Sequence, residues 1–141
     1  MPSRKLEDLH PMVVERARQL VTLAQVEGIE ILVTSTLRTF EEQAELFAIG
    51  RTKPGKKVTN AKAGESWHNF GLAFDVVPLV NGKAVWDSPF WNRIGVLGKQ
   101  VGLVWGGTFQ SFKDKPHFEF HPNLTLADAN QRRASNQNLL A

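Results

Sequence analysis

The sequence has no cysteine and no tyrosine among its 141 residues. Without cysteine the protein cannot form disulfides, iron–sulfur clusters or cysteine-rich zinc knuckles, so any metal site has to be built from histidine and carboxylate side chains. Without tyrosine, one common general acid is missing. Long hydrophobic runs are absent too: the longest uncharged segment, residues 100–112, has thirteen residues and includes Gly, Gln, Thr and Ser. That segment is too short and too polar to span a bilayer, so the sequence predicts no integral membrane segment.

The overall composition is that of one globular domain. Hydrophobic residues make up 42% of the chain and charged residues 22%, which is enough apolar material to bury a core. The formal net charge of +3 suits contact with an anionic polymer but is too small to indicate nucleic-acid binding. Residues 1–20 mix charged and apolar side chains and contain no apolar signal-peptide core. We therefore expect synthesis in the cytoplasm without a signal peptide.

Hydrophobic periodicity and capping residues predict a mixture of helices and strands. Residues 11–27 carry Val, Ala and Leu at helical spacing, with Pro11 in the first turn and Gly28 at the end. A second helix is predicted over residues 40–49, behind a capping box at Thr39. The other predicted elements are strands over residues 29–36, 71–80, 103–105 and 117–120, a hairpin turn at Asn81 and Gly82 leading into residues 84–86, and a helix from Asp87 or Ser88 to about Val101.

The order of these elements predicts an α+β fold. Helices and strands alternate without a regular β–α–β rhythm, and we expect a single domain over residues 1–141 with a core at about residues 11–122. Residues 123–141 are predicted to form a C-terminal tail with one turn of helix, for which Thr125 supplies a weaker capping box. Beyond Arg132 we expect the tail to fray.

A basic loop is predicted between the second helix and the next strand. Residues 51–62 contain five basic residues, Pro54 and Gly55, and no acid before Glu65. Such a run is commonly a solvated surface. It could also draw the protein to anionic polymers of the cell envelope. The five basic residues are Arg51, Lys53, Lys56, Lys57 and Lys62.

Two of the predicted strands each place polar side chains on one face. Side chains alternate between faces along a strand, so in residues 71–77 small residues and Asp75 lie opposite a bulky apolar face. In the last strand His117, Glu119 and His121 share one face. If the two strands are neighbours, one face of the sheet gathers all four polar side chains.

This cluster has the composition of a zinc site. Two imidazoles and a carboxylate can hold Zn²⁺ and leave one position open for water, and His68 precedes the first of the two strands. Such a metal lowers the pKa of its water to about 7 and polarises a carbonyl, while a nearby carboxylate moves the proton. Periodicity alone leaves open the alternative that these are ordinary polar residues at strand ends.

A ten-residue segment in this region resembles a known signature. Residues 66–75, SWHNFGLAFD, match the S-x-H-x-x-G-x-A-x-D motif of the peptidoglycan peptidases related to D-Ala-D-Ala carboxypeptidases and dipeptidases. Asp114-Lys-Pro-His117 matches the second motif of that family, and the segment around Arg38 resembles its upstream arginine segment. Residues 102–119 look most like the L-alanyl-D-glutamate endopeptidase branch, which includes phage endolysins and bacterial wall hydrolases. The resemblance spans about two-thirds of the chain.

The resemblance implies roles for the residues that match it. His68, Asp75 and His117 become the ligands of one zinc ion. Asp114 becomes the general base and acid, a role for which Glu119, on the same strand face as His117, is the alternative.

Four further side chains receive expected roles around the metal. Arg38 is implied to lie beside it and to stabilise the oxyanion or hold a substrate carboxylate. Ser66 is implied to orient the ligand loop or contact the substrate. Trp105 is expected to be a platform for the substrate, and Trp67 either a platform or a core residue. His121, four positions beyond the last ligand and roughly 13 Å along the strand, is expected at the rim of the site.

The implied fold is Hedgehog-like or D,D-peptidase-like, with helices packed on one face of a small, mostly antiparallel sheet. The implied function is zinc-dependent hydrolysis of an amide in the peptidoglycan stem peptide, at the L-Ala–D-Glu bond, by a monomer that binds no nucleic acid. We expect a phage-type endolysin that acts at the cell wall or in the periplasm after release, for example through a holin.

Three other functions stay open from the sequence. A carboxypeptidase or dipeptidase that removes D-Ala has the same chemistry at another bond, and a bacterial wall-recycling hydrolase has the same chemistry in another setting. A zinc-stabilised wall-binding module without catalysis belongs to another functional class. The presence of all three implied ligands together with the implied base, Asp114, argues against it.

Overall fold

An antiparallel sheet carries the fold in the computed structural model, which describes residues 2–140. The strands are β1 (Glu30–Ser35), β2 (Ala73–Val80), β3 (Lys83–Ala84), β4 (Val104–Trp105) and β5 (His117–Glu119). Their order is β1-β2-β5-β4, with β3 paired to the far end of β2, and every pair is antiparallel. The α-helices are α1 (Pro11–Val26), α2 (Phe40–Ala48), α3 (Trp91–Gln100) and α4 (Leu126–Ala134). The predicted α+β class with a small antiparallel sheet is confirmed.

The core lies between the sheet and the pair formed by α1 and α3. These helices pack against each other, α1 against β1 and α3 against β4. The side chains of α1 that are buried recur every three or four residues, so they form one apolar stripe. They are Val13, Ala17, Leu20 and Ala24. Burial of a side chain the size of Leu20 contributes about 1.5–3 kcal/mol.

Two stacked phenylalanines mark the helix-facing side of the sheet. Phe74 and Phe118 pair across β2 and β5, and their ring centroids lie 5.7 Å apart. Helix α3 approaches so closely that a Cβ added at Gly98 would lie 2.4 Å from the Phe118 ring. Because side chains alternate along a strand, the residues on either side of these phenylalanines project from the opposite face of the sheet.

The start of α3 differs from the expectation. The helix begins at Trp91, and its N-cap residue Phe90 makes no side-chain capping bond. The Ser88 hydroxyl accepts a hydrogen bond from the Phe90 N–H at 3.0 Å, which closes a local turn ahead of the helix. The prediction that Asp87 or Ser88 opens the helix is therefore wrong, because Ser88 caps this turn instead.

The C-terminal segment is more ordered than the sequence indicated. The Thr125–Asp128 capping box is present, but α4 runs for nine residues rather than one turn. Beyond it, Arg132 Nη1 donates a 2.6 Å hydrogen bond to the Leu139 carbonyl, and Leu139 packs against the core. The expected fraying after Arg132 is wrong for residues 133–140, because apolar contacts hold this segment; Leu140 packs against the core as well. No helix within residues 2–140 is long and apolar enough to cross a membrane.

Candidate metal and active site

Strand pairing places the polar cluster on the face opposite Phe74 and Phe118. Asp75 lies directly across from His117, and Ala73 across from Glu119. The prediction that the two strands are neighbours is confirmed. The small residue Ala73 shares this face with Asp75, as the alternation of small residues in β2 had indicated.

His68 is held by a short 3-10 helix, Trp67–Phe70, that has a motif residue as the cap at each end. The Ser66 hydroxyl caps this helix by accepting a hydrogen bond from the His68 N–H at 3.2 Å. Gly71 ends the helix at φ +68°, a left-handed conformation that favours glycine. The serine and glycine of the motif therefore fix the backbone on both sides of the histidine.

The end of β1 orients the His68 ring. The Thr36 carbonyl lies 2.8 Å from His68 Nδ1, and because a carbonyl only accepts, Nδ1 carries the proton and donates. The other ring nitrogen, Nε2, then faces Asp75. The His68 carbonyl in turn accepts a 3.0 Å hydrogen bond from the Arg38 N–H. A register shift between Val33 and Ser35, next to Asp75, turns the chain towards the site.

Three side chains converge with the spacing of metal ligands. Donor atoms of His68, Asp75 and His117 all lie within 4.8 Å of one another. Asp75 Oδ1 is 3.4 Å from His68 Nε2 and 3.3 Å from His117 Nδ1. These separations are long for hydrogen bonds. They match the roughly 3.3–3.6 Å between ligands of a tetrahedral Zn²⁺ with bonds of about 2.0–2.2 Å. The donor set therefore fits zinc.

Glu119 supports the His117 ring from behind. Its Oε1 accepts a 2.7 Å hydrogen bond from His117 Nε2, and its Oε2 accepts one from His121 Nε2. The His121 ring stacks on Trp67 with centroids 4.1 Å apart and planes 10° from parallel. A carboxylate that holds the far nitrogen of a histidine orients the ring and raises its basicity as a metal ligand. The structure thus gives both oxygens of Glu119 histidine partners.

The pKa values of this network follow from burial and mutual charge. Burial acts against ionisation, but hydrogen bonds from His117 and His68 hold the pKa of Asp75 well below its usual range. Burial lowers the pKa of His117, yet hydrogen bonds to Asp75 and Glu119 outweigh it and raise that pKa to about 9. Burial raises the pKa of Glu119, but hydrogen bonds from His117 and His121 outweigh it and lower that pKa to about 2. Both carboxylates are therefore ionised, and a metal has to replace a proton on His117.

Arg38, on the segment after β1, lines the cavity that contains the three candidate ligands. Its Nη1 donates a 2.9 Å hydrogen bond to Gln43 Oε1, and its buried Nε has no partner within the described residues. Burial lowers the pKa of Arg38, which the charges of Asp75, Glu42 and Asp114 oppose. The guanidinium keeps its charge. Gln43, a fully buried polar residue on the apolar side of α2, positions this cation.

Asp114 lies on the loop ahead of β5 and is exposed to the cavity. Its N–H donates a 3.0 Å hydrogen bond to the Gly106 carbonyl, and a Cβ on Gly106 would lie 2.2 Å from the Asp114 carbonyl oxygen. Desolvation raises the pKa of Asp114; His117 opposes the rise, and the negative charge of Asp75 adds to it. A carboxylate with a raised pKa is suited to proton transfer near neutral pH.

The structure does not bring Trp105 to the cavity. The ring is 7% exposed and packs against Gly95 of α3, where an added Cβ would lie 2.3 Å from it. Its indole N–H donates a 2.7 Å hydrogen bond to the Lys115 carbonyl. Trp105 therefore holds the loop that carries Asp114 rather than offering a surface to a substrate. Trp67, half-buried, packs against the core and also lines the cavity.

Two adjoining cavities surround these groups. A cavity of about 360 Å³ contains Arg38, Ser66, Asp114 and the three candidate ligands. A wider one of about 510 Å³ shares part of that lining and continues past Trp67. Its lining also includes two aromatic residues that sequence reasoning missed, Phe109 and the 82% exposed Phe112. Phe112 has φ +54°, a rare conformation for a bulky residue, and its position in the uncharged segment gave no signal of a site.

Comparisons with known proteins point to one peptidase family. A family profile described as D-alanyl-D-alanine carboxypeptidase matches residues 59–120. The chain is 40% identical over 126 residues to the peptidoglycan L-alanyl-D-glutamate endopeptidase CwlK of Bacillus subtilis (strain 168), covering 82% of this chain and 75% of that protein. It is 30% identical over 126 residues to the L-alanyl-D-glutamate peptidase of Listeria phage A118, covering 86% of this chain but only 41% of the phage protein.

Solved structures share the fold. The Serratia marcescens L-Ala D-Glu endopeptidase ChiX superimposes with a TM-score of 0.64 at 25% identity, covering 91% of each chain. The vancomycin-resistance D,D-pentapeptidase VanY, solved as an E175A mutant with Zn(II), has a TM-score of 0.61 at 15% identity, covering 93% of this chain and 81% of that one. At that identity VanY supports the fold alone. The site and the relatives together show that this chain is a peptidase of the family that includes D-alanyl-D-alanine carboxypeptidases and L-alanyl-D-glutamate endopeptidases.

Proposed function

We propose that the protein is a zinc-dependent endopeptidase that hydrolyses the L-Ala–D-Glu bond of the peptidoglycan stem peptide. The observation that carries this proposal is the convergence of His68, Asp75 and His117, at zinc-ligand spacing, in one cavity with Asp114 and Arg38. The choice of bond is supported by the names of the Bacillus and Listeria phage relatives.

The residues around the metal divide the chemistry between them. Held by the two histidines and the aspartate, one Zn²⁺ would polarise the scissile carbonyl and make a water acidic. Asp114 takes the proton of the attacking water as the new C–O bond forms, and gives it to the departing amine as the C–N bond breaks. Arg38 faces the carbonyl oxygen, whose negative charge grows in the transition state.

The contacts favour Asp114 over Glu119 for proton transfer. Both oxygens of Glu119 accept hydrogen bonds from histidines, and its pKa of about 2 makes it a poor proton carrier near neutral pH. Asp114 lines the cavity with a raised pKa and lies within the motif that matches the family. We assign Glu119 the role of positioning His117.

The test is digestion of purified peptidoglycan with the zinc-loaded protein, followed by mass analysis of the fragments. The proposal predicts new D-Glu N-termini that vanish with a chelator and return with zinc. Loss of terminal D-Ala instead would move the specificity to the carboxypeptidase alternative. No cleavage by metal-replete protein would favour the wall-binding module.

We further propose that the protein lyses a host cell as a phage-type endolysin, since one relative is a phage enzyme. A bacterial wall hydrolase is the competing role, since another relative is a Bacillus enzyme. Expression of the protein in bacteria with and without a co-expressed holin distinguishes them. Lysis only with the holin supports an endolysin that needs release, and no lysis in either culture contradicts it.

A further inference from the structure

The basic loop of residues 51–62 is divided by the structure into cations that hold the loop and cations that face outward. Arg51 turns inward: its Nη1 donates hydrogen bonds to the Phe47 carbonyl at 2.6 Å and the Thr59 carbonyl at 3.1 Å. Its guanidinium also lies 3.7 Å from the centre of the Phe47 ring. Arg51 is therefore a clamp between α2 and this loop rather than a cation without protein partners.

The part of the loop that borders the wide cavity, residues 57–61, is attached to α2 at two more points. Fully buried Gln43 donates a 2.8 Å hydrogen bond from Nε2 to the Ala61 carbonyl. Gly50 has φ +80°, and a Cβ added there would lie 2.6 Å from the Lys57 backbone nitrogen. The backbone of Lys57 therefore lies tightly against the end of α2, and the lysine occupies a defined place at the cavity.

Among the described residues that line the wide cavity, Lys57 is the only lysine or arginine. The other ionisable residues that line it are Glu65, Asp114, His117 and Glu119. Glu65 Oε1 accepts a hydrogen bond from the Lys62 N–H. Lys57 makes no ion pair with any residue in the range 2–140. Its ammonium is free to bind an anion from outside the protein.

The substrate class in the proposed function carries an anion next to the scissile bond. In the stem peptide, D-Glu continues through its γ-carboxyl group, so its α-carboxylate is free beside the nitrogen that leaves. We propose that Lys57 binds this α-carboxylate and so selects a D-glutamyl residue on the leaving side; the proposal rests on the proposed function. The wide cavity shares Ser66, Asp114 and His117 with the catalytic cavity, so a carboxylate bound there lies close to the reacting amide.

Arg38 is the competing cation, and its environment argues against this role. Arg38 lines the deeper cavity beside Asp75, and Gln43 holds its Nη1. Arg38 does not line the wide cavity. Gln43 fixes one nitrogen of the Arg38 guanidinium in the deeper cavity, whereas the ammonium of Lys57 sits on a flexible stem that can follow a carboxylate along the wide one.

The experiment compares two synthetic stem peptides that differ only at D-Glu: one with the free α-carboxylate and one with the α-amide. Zinc-loaded wild-type protein, Lys57→Gln and the matched control Lys56→Gln are measured on both. Lys56 is the neighbouring exposed lysine and lines neither cavity. The wild type and the control should prefer the carboxylate, and Lys57→Gln should raise the KM for the carboxylate peptide about tenfold while leaving the amide peptide unchanged.

Each outcome of this experiment either supports or overturns the proposed role of Lys57. Collapse of the carboxylate preference in Lys57→Gln alone supports the proposal. Preference retained in Lys57→Gln overturns it, because another group, with Arg38 first in line, then reads the carboxylate. An equal loss on both peptides also overturns it, since a damaged site does not distinguish them. If the wild type cleaves neither peptide, the proposed function fails and this inference fails with it.

Discussion

Two concave regions of the molecule differ in what surrounds them. A cavity of about 900 Å³ lies along α1 and the end of α3, lined by apolar side chains such as Val14 and Leu23 and by exposed polar ones such as Arg18. The candidate catalytic cavity on the other side of the sheet has about 360 Å³. It nevertheless contains the ligand cluster and the pKa values displaced by burial and charge. Concentrated, partly buried ionisable groups therefore mark the site better than volume does.

Loss of the metal should abolish activity completely. Chelation of the wild type, or His68→Ala, is expected to reduce peptidoglycan cleavage to background, because the metal supplies the acidic water and two remaining ligands hold zinc too weakly. The measurement is fragment release with and without added zinc. Zinc should restore the chelated wild type but not His68→Ala, whereas Thr22→Ala in the cavity along α1 should remain fully active. An equal loss of cleavage in His68→Ala and Thr22→Ala would show that the two cavities do not differ in function.

Asp114→Asn should lower kcat by about 10²–10⁴-fold, because an amide cannot carry the proton from water to amine. The zinc content should stay at the wild-type level, since Asp114 is not among the three converging donors. Steady-state kinetics and metal analysis on the same sample check both. Full activity in this variant would return the proton-transfer role to Glu119.

Glu119→Gln should weaken zinc binding by about 10–100-fold while the fold persists. The amide keeps the size of the side chain but loses the charge that His117 and His121 donate to. Competition with a chromophoric chelator measures the zinc Kd. The matched control is His10→Gln, at the N-cap of α1, which should keep the wild-type Kd. An unchanged Kd in Glu119→Gln would show that the hydrogen bond does not support His117.

Gly98→Ala should destabilise the core between the two regions by about 1–3 kcal/mol. The added methyl meets the Phe118 ring at 2.4 Å, so α3 or β5 has to shift. Urea unfolding gives the free energy directly, and zinc-free protein removes the contribution of the metal. A change in the free energy of unfolding below about 0.5 kcal/mol would mean that α3 and β5 can move apart to accept the methyl group with little loss of stability.

Arg18→Ala should change the free energy of unfolding by less than about 0.5 kcal/mol and leave cleavage unchanged. Arg18 is exposed and lines only the larger cavity. The same unfolding and digestion assays apply. A large loss of cleavage would show that the cavity along α1 takes part in function.

The sequence predicted the elements and the shared polar strand face because their signals are local, whereas the choice of His68, Asp75 and His117 as ligands came from the family resemblance. Alternation in β2 and β5 placed Asp75 and His117 on one face, and the strand register confirms it. Trp105 could not be placed in the same way. Its partners, Gly95 and the Lys115 carbonyl, come from other elements, so only the packed fold shows that it supports the Asp114 loop.

The contacts that attach the basic loop to distant residues could not be predicted from the sequence either. Nothing in a run of lysines indicates that Gly50 and Gln43 attach it to α2, or that Arg51 points inward while Lys57 lines the cavity. The capping box of α4 was readable, but its length was not, because packing of residues such as Leu139 holds the segment after it. Local signals predict elements, and contacts between distant residues decide what they support.

Anomalous diffraction at the zinc edge, from crystals of the zinc-loaded protein, would locate the metal that the small cavity is proposed to hold. One peak is expected, about 2.0–2.2 Å from Nε2 of His68, a carboxylate oxygen of Asp75 and Nδ1 of His117. A peak at any other group of residues, or none at this one in protein that cleaves peptidoglycan, would contradict this placement of the metal.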